Sequence, residues 1–188
     1  LQGLSSQGKT SLAIYLGLGV AISLDKMEEK GQVTINTLEQ QGERLAMRVA
    51  CMMATVNSLT IAHGKLTNLE ADRLFEKCAY IKTLPIVYND DPTLTSHQFV
   101  THAICEHMKT PRVFGISDYV ELFKDTAQSE ELRISQATKN IRTVCWETGS
   151  CELMLVQPND NVLKSDYKQG GMFSSRYSRV PAQAADWY

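Results

Sequence analysis

The chain has 188 residues, 43% hydrophobic and 21% charged, with a formal net charge of −2 at pH 7. That length suits one domain with a real core, and the composition excludes a disordered or low-complexity chain. So small a net charge excludes a bulk pull towards nucleic acid and leaves such contact to a few loops. No uninterrupted apolar stretch reaches the roughly 20 residues that span a bilayer, and no basic-then-apolar signal segment is visible.

The first element is a loop. Gly3-Leu4-Ser5-Ser6-Gln7-Gly8-Lys9-Thr10 is a complete G-x-x-x-x-G-K-S/T pattern. Its glycines let the backbone wrap a polyphosphate, so that the N–H groups from Gly3 through Ser5, Ser6, Gln7, Gly8 and Ser11 form an anion nest at a helix start. Lys9 can reach β- and γ-phosphates, and the Thr10 hydroxyl can ligate Mg²⁺. Residues 11 to 22 have the apolarity of a buried helix behind such a loop. The pattern predicts nucleoside triphosphate binding. Such a loop normally leaves the end of a β-strand, yet only Leu1 and Gln2 precede it. The expectation is therefore a piece of a longer protein, or a sequence with stretches closed up.

Further along, Val33 to Leu38 alternates branched and polar residues as a strand does. A long helical pattern begins at Glu39, with Leu45, Val49, Met52 and Met53 on one side and Arg44 and Arg48 at helical spacing. Thr67-Asn68-Leu69-Glu70 has the form of a capping box opening a helix to about residue 80. Leu84 to Tyr88 gives a short strand ending in a turn, and Thr95 begins a helix to about Lys109. Arg112 to Ser117 is an apolar strand terminating in Asp118. A helix over about 129–148 leads to a buried strand from Glu152 to Gln157. Residues 158 to 179 are polar, basic and glycine-bearing, as in a long loop. Strands alternating with helices behind a phosphate loop imply one α/β domain over 1–188, with a mostly parallel sheet and helices on both faces.

In such a sheet a ligand sits beyond the carboxyl ends of the strands. Asp118 occupies the place of the acid that holds Mg²⁺ beside Thr10. Glu39 can orient and deprotonate an attacking water. Gln157 can hydrogen-bond the γ-phosphate and report its loss to the following loop. Cys51, Cys78, Cys105, Cys145 and Cys151 form no C-x-x-C pair, which suggests reduced, packed thiols in a cytosolic compartment. His97, His102 and His107 recur every five residues, a spacing that does not keep metal ligands on one helix face.

These blocks resemble a known family. Val33 to Arg48 resembles the "S-L-E-M…R" segment of DnaB-type hexameric replicative helicases, and Ile116 to Leu122 their "V-D-Y-L-Q-L" magnesium strand. Val156 to Val162 is similar to "S-Q-L-N-R-x-V", and Arg176 to Asp186 to "R-E-S-G-x-I-E-Q-D-A-D". Leu59 to Leu74 and Asp90 to Thr95 match a helix and a "D-D-x-x-L-T" turn in the same order. The resemblance covers nearly the whole chain and implies a RecA-like P-loop motor domain. Such a motor forms a homo-oligomeric, hexameric ring, binds ATP and Mg²⁺ between subunits and moves on single-stranded DNA in the cytoplasm of a bacterium or phage-infected host. It implies Lys9, Glu39 and Gln157 as catalytic residues, and Thr10 and Asp118 at the metal.

Departures accompany the likeness. Tyr177 and Arg179 stand where the family has Glu and Gly, Thr37 replaces Ser, and Pro158 replaces Leu, as in a distant, phage-encoded member. DNA contact would then rest on Lys164, Lys168, Arg176 and Arg179, whose charges release counterions from phosphates, with Tyr177 stacking on a base. The resemblance implies that the strand supplying the family's arginine finger and the domain that engages primase are expected outside these residues; contacts to primase or a loader would use those parts. Two other readings stay open: a RecA- or RadA-like recombinase, and an assembly or loader protein in which ATP only organises a ring.

Overall fold

A computed structural model describes residues 8–157 and residue 181. Gly3, Ser5, Ser6 and Gln7, together with Lys164, Lys168, Arg176, Tyr177 and Arg179, lie outside the described residues.

Helix α1 (Lys9–Met27) starts from Gly8, whose φ of 79° is the left-handed turn that brings the chain into the helix. It runs five residues beyond the expected end at residue 22. By length and composition α1 could cross a membrane, which a count of uninterrupted apolar residues misses because Ser11, Ser23 and Asp25 break the run. Its apolar side chains Ala13, Ile14, Leu18, Ala21 and Leu24 instead pack on the sheet.

The sheet holds β1 (Gln32–Thr37), β2 (Ile86–Asn89), β3 (Arg112–Asp118) and β4 (Cys151–Met154), all parallel, in the order β2-β1-β3-β4. The expected α/β architecture is therefore observed. Strand alternation divides the sheet into two unlike faces. Val33, Ile35 and Ile116 face α1 and the residues Leu45 and Val49 of α2 (Gly42–Ala54). On the other side lie α5 (Ser96–Lys109) and α6 (Glu130–Thr148), whose Phe99, Ala103, Ala137, Ile141 and Val144 form a second core with Phe123. Under that second face runs a buried ion pair, Arg112 with Glu152, which also engages Ser150 and Ser117. A third cluster joins α2 to Leu74 of α4 (Asn68–Ile81).

The capping box predicted at Thr67 and Glu70 is present, and Thr95 with Gln98 forms a second one. Four expectations are corrected. Glu39 does not open a helix: Thr37 Oγ1 donates to the Gln40 carbonyl at 2.8 Å and accepts the Gln40 N–H at 3.2 Å, which holds residues 38–40 as a bend. Helix α2 begins instead at Gly42, whose N–H is taken by Asp90 Oδ2 at 2.8 Å. Met52 is exposed, because Ala50, Cys51 and Ala54 turn inward against α4. The cysteines are all outside disulfides, but Cys105 and Cys151 are exposed rather than packed. The helix that the resemblance gives over Leu59 to Leu74 is broken in two: a short helix α3 (Ser58–Ala62), capped by the Asn57 side chain, ends before α4 begins at Asn68.

Candidate functional site

Adjacency in the sheet concentrates the chemistry. Because β1 and β4 both flank β3, their carboxyl ends meet, and Thr37 of β1 is in register with Asp118 of β3. The first turn of α1 lies against the same edge: Thr10 Oγ1 donates to Asp118 Oδ2 at 2.9 Å. Both residues are buried, Asp118 at 2% exposure. The structure thus places Lys9, Thr10, Glu39, Asp118 and Gln157 around one end of the sheet, as the sequence predicts.

Burial pushes the Asp118 carboxyl up to about 6, with the Glu39 charge adding to the rise and the Thr10 hydroxyl, Arg48 and Lys9 opposing it. Its second oxygen, Oδ1, is buried without a hydrogen-bond partner among the described residues. A buried carboxylate oxygen of this kind beside a threonine hydroxyl is a hard donor pair, and it fits a small divalent cation such as Mg²⁺. Lys9 is equally buried, and desolvation holds its ammonium below the ordinary lysine value. The Glu121, Asp118 and Glu39 carboxylates favour its charged form, in that order. Its Nζ lies 5.0 Å from the centre of the Tyr119 ring. Glu39 itself is exposed in the bend after β1.

Gln157 follows β4, and its backbone N–H donates to Glu121 Oε1 at 2.8 Å. The connection is reinforced by Leu155 N–H to the Ser117 carbonyl at 2.9 Å and Val120 N–H to the Leu155 carbonyl at 3.2 Å. Sequence reading missed Glu121, although an acid inside the apolar run Tyr119-Val120-Glu121-Leu122-Phe123 was a visible signal. It also left Arg48 without a role. Arg48 donates to Ser11 Oγ at 2.8 Å and to Gln40 Oε1 at 3.2 Å, tying the first turn of α1 to the bend that carries Glu39. Its signal was its place between Leu45 and Val49 on the inward face of α2. Among the histidines, His107 Nδ1 accepts the Arg112 N–H at 3.1 Å, while His97 and His102 are exposed.

Comparison with known proteins gives consistent results. The family model described as the DnaB-like helicase C terminal domain matches residues 1–186. The replicative DNA helicase DnaB of Geobacillus stearothermophilus is 25% identical over 186 residues, and that of Rickettsia typhi 27% identical over 196. These alignments take in 96% and 99% of this chain but 39% of each relative, so the chain spans about two-fifths of their length. A solved structure of a DnaB-like replicative helicase, described with its interactions with primase, superposes with a TM-score of 0.87 at 20% identity. It covers 98% of this chain and 44% of that one. This chain belongs to the family of DnaB-like helicase C-terminal domains.

Proposed function

We propose that this chain is the ATP-hydrolysing motor of a replicative DNA helicase. The observation that carries this reading is the meeting of Lys9 and Thr10, at the start of α1, with Asp118 and the Glu39 bend at the ends of two adjacent parallel strands. The loop from Gly3 through Ser5, Ser6, Gln7 and Gly8 to Ser11 wraps the triphosphate with its N–H groups, and Lys9 extends to the β- and γ-phosphates. Thr10 and Asp118 hold Mg²⁺, which when bound neutralises charge on the phosphate oxygens. Glu39 takes a proton from a water as that water attacks the γ-phosphorus in line. The bond to the β-phosphate oxygen breaks, and ADP and phosphate are left. Gln157 hydrogen-bonds the γ-phosphate and passes its loss to the chain beyond β4. Arg48 keeps the Glu39 bend in register with the phosphate loop through Gln40 and Ser11.

Single-stranded DNA is the proposed track. Lys164, Lys168, Arg176 and Arg179 neutralise its phosphates and Tyr177 stacks on a base. The working form is a homo-oligomeric, hexameric ring in the cytoplasm, with primase or a loader engaging other parts of the full protein. The test is DNA-stimulated ATP hydrolysis together with unwinding of a forked duplex. Both are expected of the assembled protein. Strand exchange without unwinding would favour a recombinase, and ATP binding without turnover an assembly protein.

A further inference from the structure

Glu121 is a buried acid beside the site that the mechanism above does not use. The chain leaves β3 at Asp118, passes Tyr119 and makes a single 3-10 turn over Val120–Leu122. Val120 is 1% exposed and Phe123 0%, and between them Glu121 retains only 8%. A carboxylate in such surroundings needs polar partners. One is the Gln157 N–H at 2.8 Å, at the far end of β4. The other is Lys9, whose Nζ sits 5.0 Å from the centre of the Tyr119 ring, two residues before Glu121, and whose charge Glu121 favours ahead of Asp118 and Glu39. One side chain therefore bears on both the phosphate-loop lysine and the backbone of the residue assigned to the γ-phosphate.

We propose that Glu121 is a positioning residue that couples occupancy of the phosphate site to the end of β4. It holds Lys9 while the site is empty, yields it to the β- and γ-phosphates, and keeps the Gln157 N–H throughout. This rests on the ATP-binding reading of the site. As Lys9 turns to the triphosphate, the Glu121 charge leans more heavily on the Gln157 amide, because a charge-assisted hydrogen bond strengthens as competing cations leave. The end of β4 then tightens when nucleotide arrives and relaxes when it departs. A purely structural acceptor would do none of this, since a glutamine oxygen accepts the same N–H without attracting Lys9. The "V-D-Y-L-Q-L" block that this segment resembles has glutamine at that place.

Glu121→Gln separates the two roles in the full protein. With the Gln157 bond kept and the competition for Lys9 removed, Mg-ATP measured by calorimetry should bind about three- to tenfold tighter. Hydrogen exchange of the Gln157 amide should slow on adding Mg-ATP to the wild type and respond less in the variant. Equal Mg-ATP affinities in wild type and variant would overturn the proposal. Should Glu121→Gln not fold, the wild-type exchange measurement decides alone: a Gln157 amide indifferent to Mg-ATP overturns it. A wild type that binds no Mg-ATP at all refutes the nucleotide reading itself, an outcome distinct from equal affinities.

Discussion

The hydroxyl of Thr10 donates to Oδ2 of Asp118 at 2.9 Å, joining residues 108 positions apart. This bond sets the start of α1 against the end of β3, and the second Asp118 oxygen stays buried without a hydrogen-bond partner among the described residues. Thr10→Ala removes the hydroxyl and should lower Mg-dependent ATP turnover by about a hundredfold, while Thr10→Ser stays within a few-fold. Steady-state hydrolysis titrated with Mg²⁺ checks both.

Asp118 also predicts a pH dependence. Its folded value of about 6 lies above the ordinary aspartate value of 3.8, so the folded state holds the proton more tightly than the unfolded one. The resulting stabilisation is complete below pH 3.8 and is lost as pH rises through about 6. Asp118→Asn keeps an acceptor for Thr10 without a buried charge. In nucleotide-free protein with EDTA it should be more stable than wild type at pH 7 by about 2–3 kcal/mol, with the difference shrinking towards pH 4. Chemical denaturation across that range measures it.

Much of this site was legible in the sequence because its parts are punctuated locally. Gly8, Lys9 and Thr10 follow a fixed spacing, and Asp118 ends an apolar run. The two capping boxes are four-residue signals that contain their own hydrogen bonds. What stayed hidden depends on strand order. Arg48 reaches Ser11 across 37 residues and Glu121 reaches Gln157 across 36, and neither pairing exists until β3 lies between β1 and β4. The helix start was misplaced at Glu39 for a related reason. Apolar periodicity carries no trace of the Thr37 hydroxyl turning the chain back on Gln40, or of Asp90, just after β2, capping Gly42.

Arg48 should act on turnover more than on binding. Losing its bonds to Ser11 and Gln40 frees the Glu39 bend and removes no group proposed to touch the phosphates. Arg48→Ala is expected to lower kcat about tenfold and change the ATP dissociation constant by less than about threefold. Single-turnover kinetics beside equilibrium binding resolves the two.

Gly115 tests the sheet's polar face. A Cβ built there would lie 1.7 Å from an Arg112 guanidinium nitrogen and 1.9 Å from Glu152 Oε2. Both groups are fully desolvated and paired, so neither can move without leaving a buried charge. Gly115→Ala should destabilise the fold by about 3 kcal/mol or more, seen as a lowered thermal midpoint.

In the proposed mechanism the bend after β1 delivers Glu39, the group that activates water, to the end of the sheet that holds the Thr10–Asp118 pair. Glu39→Gln preserves size and hydrogen bonding but removes the base. Single-turnover ATP hydrolysis by the assembled variant, with Mg-ATP affinity measured on the same sample, tests this most directly. Near-normal affinity is expected, with hydrolysis reduced by at least about a hundredfold. Full hydrolysis by Glu39→Gln would contradict it.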